Sequence, residues 1–180
     1  MTDDKAYSAE LRLNQLWNHL GPIAAGGGNG QRLTVYSTAD QLVNATSDGN
    51  LTGLASPAGY IVAGAYLISG RLIATQGPGS VTQAAGFTGP ATSHVRISAC
   101  WFSNGGGAYT TGAAIISSLA GGISTPAFST TVQNYWDFEG LVVFTAAGTL
   151  NMVGHAASGT NTWTAGSYSF LTLETAGQTS

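Results

Sequence analysis

Hydrophobic positions divide the chain into a short helical segment and a long β-rich segment. Over residues 4–20, apolar side chains recur at alternating spacings of three and four, which is the pattern of an amphipathic helix: Ala6, Ala9, Leu13, Leu16 and Leu20. Asp3 and Asp4 supply acidic groups for the start of a helix, and Gly21-Pro22 supplies a stop. The pattern predicts one N-terminal α-helix.

A helix of this length is only marginally stable in water, because the free-energy cost of nucleating it exceeds the stabilisation from a few hydrogen-bonded turns. It therefore has to pack against another surface. Two alternatives stay open: the stripe packs on its own domain, or copies of it meet one another or enter a partner's groove. The side chains expected to make the contact are Leu13, Leu16, Trp17 and Leu20.

The segment after the helix is dominated by glycine. Residues 24–30 read AAGGGNG and lack side chains that could hold their path, which is typical of a flexible hinge. A dinucleotide-binding loop would follow a strand and open a helix, whereas this run follows the helix. We therefore divide the chain into a helical arm with a Gly-rich hinge, residues 1–30, and a β domain, residues 31–180.

From residue 31 onward, short runs rich in Val, Ile, Thr, Tyr and Phe alternate with Gly, Asn, Ser and Pro clusters. This spacing predicts an all-β fold, an antiparallel sandwich or barrel. The predicted strands are Leu33–Tyr36, Gln41–Asn44, Leu51–Leu54, Tyr60–Val62, Tyr66–Thr75, Ser80–Phe87, His94–Phe102, Ala113–Ser117, Thr131–Trp136, Gly140–Thr145, Thr149–Ala156 and Tyr168–Glu174.

Alternation within residues 93–98 predicts which side chains face the core. Val95 and Ile97 should face one side of the sheet, and His94 and Arg96 the other. Residues 97–136 contain no Asp, Glu, Lys or Arg, so exposed strands there would have no charge to discourage pairing with another chain. A protected edge or a buried subunit interface is the natural explanation.

A weak internal echo links the two halves of the β domain. Ala63-Gly64-Ala65-Tyr66 and Ala165-Gly166-Ser167-Tyr168 each place a glycine before a tyrosine that leads into a strand. The echo predicts that Tyr66 and Tyr168 each cover the core where their strand begins.

Composition points to assembly. Only 7% of the 180 residues are charged, against about 25% in typical soluble domains. A surface this neutral suggests that much of it is covered by other subunits. The net charge of −3 offers no basic footprint for nucleic acid.

Other classes find little support. The single cysteine, Cys100, has no intrachain disulfide partner, and its apolar neighbours predict a buried, unreactive thiol. The acidic first residues do not resemble a secretory signal. The most apolar window, residues 113–123, is too short to cross a bilayer.

Several segments resemble a known family. Residues 138–150, FEGLVVFTAAGTL, and 164–171, TAGSYSFL, resemble the C-terminal half of jelly-roll modules in virion proteins of tailed bacteriophages. Residues 63–66, AGAY, and 87–91, FTGPA, resemble the N-terminal half. The resemblance implies a tumour-necrosis-factor-like jelly-roll β-sandwich, usually trimeric, on the virion of an actinobacterial phage.

On this resemblance we expect an antiparallel jelly-roll β-sandwich preceded by a short α-helix, working as a trimeric capsid decoration protein that binds the particle surface and stabilises it. Its partners would be itself and the major capsid protein or another virion protein, with no nucleic acid and no membrane. The expected location is the virion, assembled in the host cytoplasm. The alternative is a tail-fibre tip or minor tail protein that binds a host receptor or surface carbohydrate.

Residues with chemical potential are sparse. The histidines His19, His94 and His155 lack metal-ligand spacing, although one of the last two could form a three-ligand site on a threefold axis. Asp137 and Glu139 would share one face of a strand, or lie in a solvated turn. No Gly-x-Ser-x-Gly motif precedes a helix, so we expect no enzyme activity, no cofactor and no metal.

Aromatic side chains supply the main rival interpretation. Trp101, Trp136 and Trp163, with Tyr109 and Tyr135, could form a platform for sugars, although aromatic residues on strands more often belong to a core or an interface. Trp136 and Trp163 are the candidate carbohydrate contacts.

Overall fold

The computed structural model describes residues 31–76, 82–105, 108–124, 133–156 and 162–176. The predicted arm helix, with Leu13, Leu16, Trp17 and Leu20, lies outside the described residues. The described residues are all-β. They form β1 (Arg32–Tyr36), β2 (Gln41–Val43), β3 (Gly49–Ala55), β4 (Gly64–Gln76), β5 (Gln83–Thr88), β6 (Thr92–Gly105), β7 (Ala108–Ile116), β8 (Ala120–Ser124), β9 (Gln133–Phe144), β10 (Asn151–Ala156), β11 (Trp163–Ala165) and β12 (Phe170–Thr175).

These strands form two antiparallel sheets. The larger sheet has eight strands, with the order β1-β12-β4-β9-β6-β7 and with β11 pairing both β2 and β4. The smaller sheet has four strands in the order β3-β10-β5-β8. Pairing follows a nested pattern in which the first strand pairs with the last, the second with the second last, and so on inward to the hairpin of β6 and β7. The described strands are thus paired as in one long hairpin that is wound into two layers.

The two sheets enclose one hydrophobic core. Phe87 of the smaller sheet meets Phe138 of the larger sheet edge-on, with ring centroids 5.1 Å apart. Phe138 stacks on Trp136, and Trp136 contacts Trp101 on the neighbouring strand. These large aromatic side chains therefore pack between the two sheets. Their burial stabilises the fold because it removes a large apolar area from water.

The predicted alternation of buried and exposed side chains is confirmed at residues 94–97. Val95 and Ile97 are buried, whereas His94 and Arg96 are exposed. Asp137 and Glu139 share one face of β9, as expected for positions i and i+2 on a strand.

Several local predictions were wrong. Residues 60–62 form no strand, only an isolated bridge from Ile61 to Gly148. The two strands predicted on either side of residues 137–139 are one continuous strand, β9, because each residue there pairs with β4 and β6. The short strands β8 and β11 were missed. The glycines and small residues of β8 resemble loop composition, and β11 is only three residues long.

Cys100 also differs from its prediction. It lies opposite Asp137 on the solvent side of the larger sheet and is half-buried, with its Sγ atom 3.9 Å from Ser98 Oγ. Its apolar neighbours Ala99 and Trp101 face the core, and Cys100 takes the opposite face because successive strand residues alternate.

Candidate functional site

The outer face of the eight-stranded sheet, the side turned away from the four-stranded sheet, carries most of the charge of the β domain. From residue 31 onward the sequence has three arginines and five acidic residues. All three arginines and three of the acidic residues lie on this outer face: Arg32, Arg71, Arg96, Asp137, Glu139 and Glu174. The outer face therefore has no net formal charge.

Strand register interleaves these charges with apolar side chains. Arg32 lies opposite Glu174 across β1 and β12. The same row continues through Leu67 on β4 and Leu141 on β9 to Arg96 on β6. Opposite charges that face each other across strands are favourable, and the leucines between them leave apolar area at the surface.

Arg71 and Asp137 form a bidentate ion pair in the next part of the outer face. Arg71 Nε donates to Asp137 Oδ1 at 2.6 Å, and a terminal guanidinium nitrogen donates to Oδ2 at 2.8 Å. The Arg71 Cζ atom lies 5.7 Å from the ring centroid of Tyr135. The hydrogen bond to Asp137 raises the pKa of Arg71, so the guanidinium stays charged.

A shallow groove of about 520 Å³ runs along the outer face near Arg96 and Glu139. Leu67 and Ile115, which also line the groove, are 49% and 53% exposed. A face with both charge signs and exposed aliphatic side chains can bind another folded protein, because it offers apolar area to bury and charges to pair.

The tryptophans predicted to contact carbohydrate do not reach the surface, and that prediction is corrected. Trp136 and Trp163 are both 0% exposed. Trp163 lies over Gly154 and donates its indole N–H to the His155 carbonyl at 3.0 Å, while Trp136 packs between Trp101 and Phe138. A sugar cannot stack on rings that the core encloses.

The two described histidines lie on different sheets. His94 is exposed on the outer face of the larger sheet, and His155 lies on β10 of the smaller sheet. Among the described residues, no group of three or more His, Cys, Asp or Glu side chains could hold a metal ion. His19 lies outside the described residues.

Sequence reasoning missed a contact at His155. Its Nδ1 atom lies 2.7 Å from Asp48 Oδ1, and Asp48 Oδ2 accepts a hydrogen bond from Gly122 N at 3.1 Å. Asp48 thereby links the start of β3 to β8 and β10. The two partners lie 107 positions apart, so no local pattern could have predicted the pair.

The prediction that Tyr168 covers the core was also wrong. The sequence echo predicts Tyr66 and Tyr168 at the core, and Tyr66 is buried there. Tyr168 instead has a φ angle of +68° and is 82% exposed. Its turn is anchored by Asp40, whose Oδ1 accepts a hydrogen bond from Ser167 N at 2.7 Å, and this bond lowers the pKa of Asp40.

No protein-family model matches the chain, and no curated protein matches it. Within the described residues, no helix has the length and apolar character needed to cross a bilayer.

Proposed function

We propose that this chain is a structural protein of a tailed-bacteriophage virion, a jelly-roll sandwich that self-associates as a trimer and decorates the capsid. The nested pairing of strands supports the jelly roll, because winding one long hairpin into two sheets produces that order. The sequence resemblance supports the virion role. Residues 1–30 serve as the arm that fixes the sandwich to the particle.

The observation that carries the proposal is the outer face of the eight-stranded sheet. It combines equal numbers of basic and acidic side chains with the exposed side chains of Leu67 and Ile115. In a threefold ring, one part of this face would meet a different part of the same face on the next copy. Basic and acidic side chains occupy different positions on the face, so opposite charges can come into register there, whereas a single-sign surface would repel its neighbour. We therefore assign self-association to this face.

The work of such a protein is mechanical. An interface of at least about 1,000 Å² contributes roughly 25 cal/mol for each Å² of apolar area buried, and association entropy offsets much of that sum. Many copies bound to one particle would stabilise its shell by mass action, since each copy binds the assembled surface and not its separated parts.

Sedimentation of the full chain tests self-association. We expect the wild-type protein to sediment as a trimer and Leu67→Asp with Ile115→Asp to sediment as a monomer, because two carboxylates would be buried without partners. Ala146→Asp, which adds a carboxylate in the exposed loop after β9, is the matched control and should stay trimeric. A wild-type monomer, or a trimer that survives the double substitution, would contradict the assignment.

Particle binding tests the arm. Leu13→Asp combined with Leu16→Asp should abolish binding to the capsid while the sandwich stays folded, because it removes the apolar stripe of the predicted helix. Normal incorporation of this variant into particles would show that the arm is not the anchor. The alternative, a tail-fibre tip or minor tail protein, predicts that the isolated protein blocks adsorption of phage to cells.

A further inference from the structure

The turn over residues 166–169 exposes an aromatic ring at a position where the fold favours glycine. Tyr168 has a φ angle of +68°, a backbone conformation that residues with a Cβ atom adopt rarely and at a cost in free energy. Its ring is 82% exposed, so burial does not repay that cost. A bulky residue held in a strained conformation and turned to solvent indicates a role outside folding.

The turn does not depend on the tyrosine ring. Tyr168 N donates to the Ser37 carbonyl at 2.9 Å, and Ser167 N donates to Asp40. Buried Ser169 closes the turn: its Oγ donates to the Gly166 carbonyl at 2.6 Å and accepts from Ile73 N at 3.0 Å. None of these bonds uses the side chain of Tyr168, so glycine at this position would make the same turn with less strain.

A shallow groove lies against this turn. It has a volume of about 350 Å³, within the range of small-ligand sites, and it is lined by residues 37–42 and Thr52. Ser37 and Asp40, which hold the turn by hydrogen bonds, form part of its wall. The backbone of the turn that carries the exposed ring therefore borders the groove.

The groove is rich in hydrogen-bonding side chains. Thr38 and Thr52 are exposed hydroxyl residues. The Asp40 carboxylate is bound by both the backbone and the side chain of Ser167, and a carboxylate has about four lone-pair sites, so it can accept further hydrogen bonds. Gln41 is held in place by Thr52 N, which donates to its side-chain carbonyl at 2.6 Å.

This chemistry selects among ligand classes. No lysine or arginine lines the groove, which disfavours phosphates and nucleic acid. A saccharide matches it, because C–H groups of a sugar ring pack on an aromatic face while the hydroxyl groups bond to carboxylate and hydroxyl side chains.

We propose that Tyr168 and the groove beside it form a saccharide-binding site for a neutral oligosaccharide. In this site Tyr168 supplies the stacking face, and Asp40 and the two threonines orient the sugar hydroxyls. The site does not depend on the proposed virion role, since it uses neither the arm nor the charged outer face.

A printed array of neutral and acidic oligosaccharides, probed with the full-length protein, tests the proposal. We expect the wild-type chain to bind at least one neutral glycan. Tyr168→Gly should weaken that binding at least tenfold while its melting temperature stays equal or rises, because the substitution removes the ring and the backbone strain together. Asp40→Asn should weaken binding severalfold and stay folded, since the amide oxygen can still accept from Ser167 N.

Phe102→Ser is the matched control, because Phe102 is an exposed ring on β6 outside the groove, and it should leave glycan binding unchanged. The proposal is wrong if the wild-type protein binds no glycan, or if Tyr168→Gly binds as the wild type does. If Tyr168→Gly changes the sedimenting mass and no glycan binds, the ring is a contact between copies and the saccharide site does not exist.

Discussion

The indole ring of Trp101 lies directly against Gly112, its partner across β6 and β7. A Cβ atom added at Gly112 would overlap Cζ2, Cε2 and Nε1 of that ring. The missing side chain is what lets Trp101 lie flat on the neighbouring strand and reach Trp136. One glycine thus sets the position of two tryptophans in the core.

Gly112→Ala should lower the free energy of unfolding by about 1–3 kcal/mol, because the new methyl group would push a ring that the core already encloses. Gly49→Ala is the matched control: its Cβ atom would find its nearest neighbour 4.0 Å away, so we expect a change within about 1 kcal/mol. Urea denaturation of both variants measures the difference. If both variants lose the same free energy of unfolding, the loss comes from replacing glycine as such and not from the contact with Trp101.

Asn134 is a buried polar residue whose replacement should stabilise the fold. Its amide is 0% exposed, and within the described part of the chain neither its oxygen nor its nitrogen has a hydrogen-bond partner. Asn134→Leu keeps the branched shape and should raise the free energy of unfolding by about 1–3 kcal/mol. The exposed Asn50→Leu should change it by less than about 0.5 kcal/mol. Marked destabilisation by Asn134→Leu would indicate that the amide binds a buried water molecule.

The Arg71–Asp137 ion pair should contribute little stability despite its bidentate geometry. The two side chains are 49% and 37% exposed, so water screens their attraction. A double-mutant cycle with Arg71→Ala and Asp137→Ala should give a coupling free energy below about 1 kcal/mol. The coupling should fall further in 1 M salt, where the screening length is about 3 Å. A coupling of several kcal/mol would contradict this estimate.

Alkaline pH should destabilise the domain through Tyr60. Burial raises the pKa of Tyr60 from 10.0 to about 12, with smaller contributions from Tyr66 and Glu174. The unfolded chain therefore loses this proton first, and the stability contributed by neutral Tyr60 is complete below about pH 10 and lost as the pH rises to about 12. Free energies of unfolding between these pH values should decline less steeply in Tyr60→Phe. Parallel declines in both proteins would rule out this role for Tyr60.

Part of the candidate site could be predicted from the sequence. Alternation around residues 93–98 correctly assigned His94 and Arg96 to the solvent side, because side-chain direction on a strand depends only on local period. The same rule placed Asp137 and Glu139 on one face. It did not show that Asp137 pairs with Arg71, which lies 66 positions away.

The sequence by itself determined the all-β class of the described residues and the low charge of the chain. The class follows from β-prone composition and period-two alternation, and the charge follows from composition alone. Only the tertiary structure decided which aromatic rings reach solvent. Trp136 and Trp163 are buried, while Tyr168 is exposed although its local sequence echoes that of Tyr66. Exposure depends on which distant strands cover a residue, and pairings such as β1 with β12 join segments more than one hundred positions apart. No local sequence pattern specifies which distant strands pair.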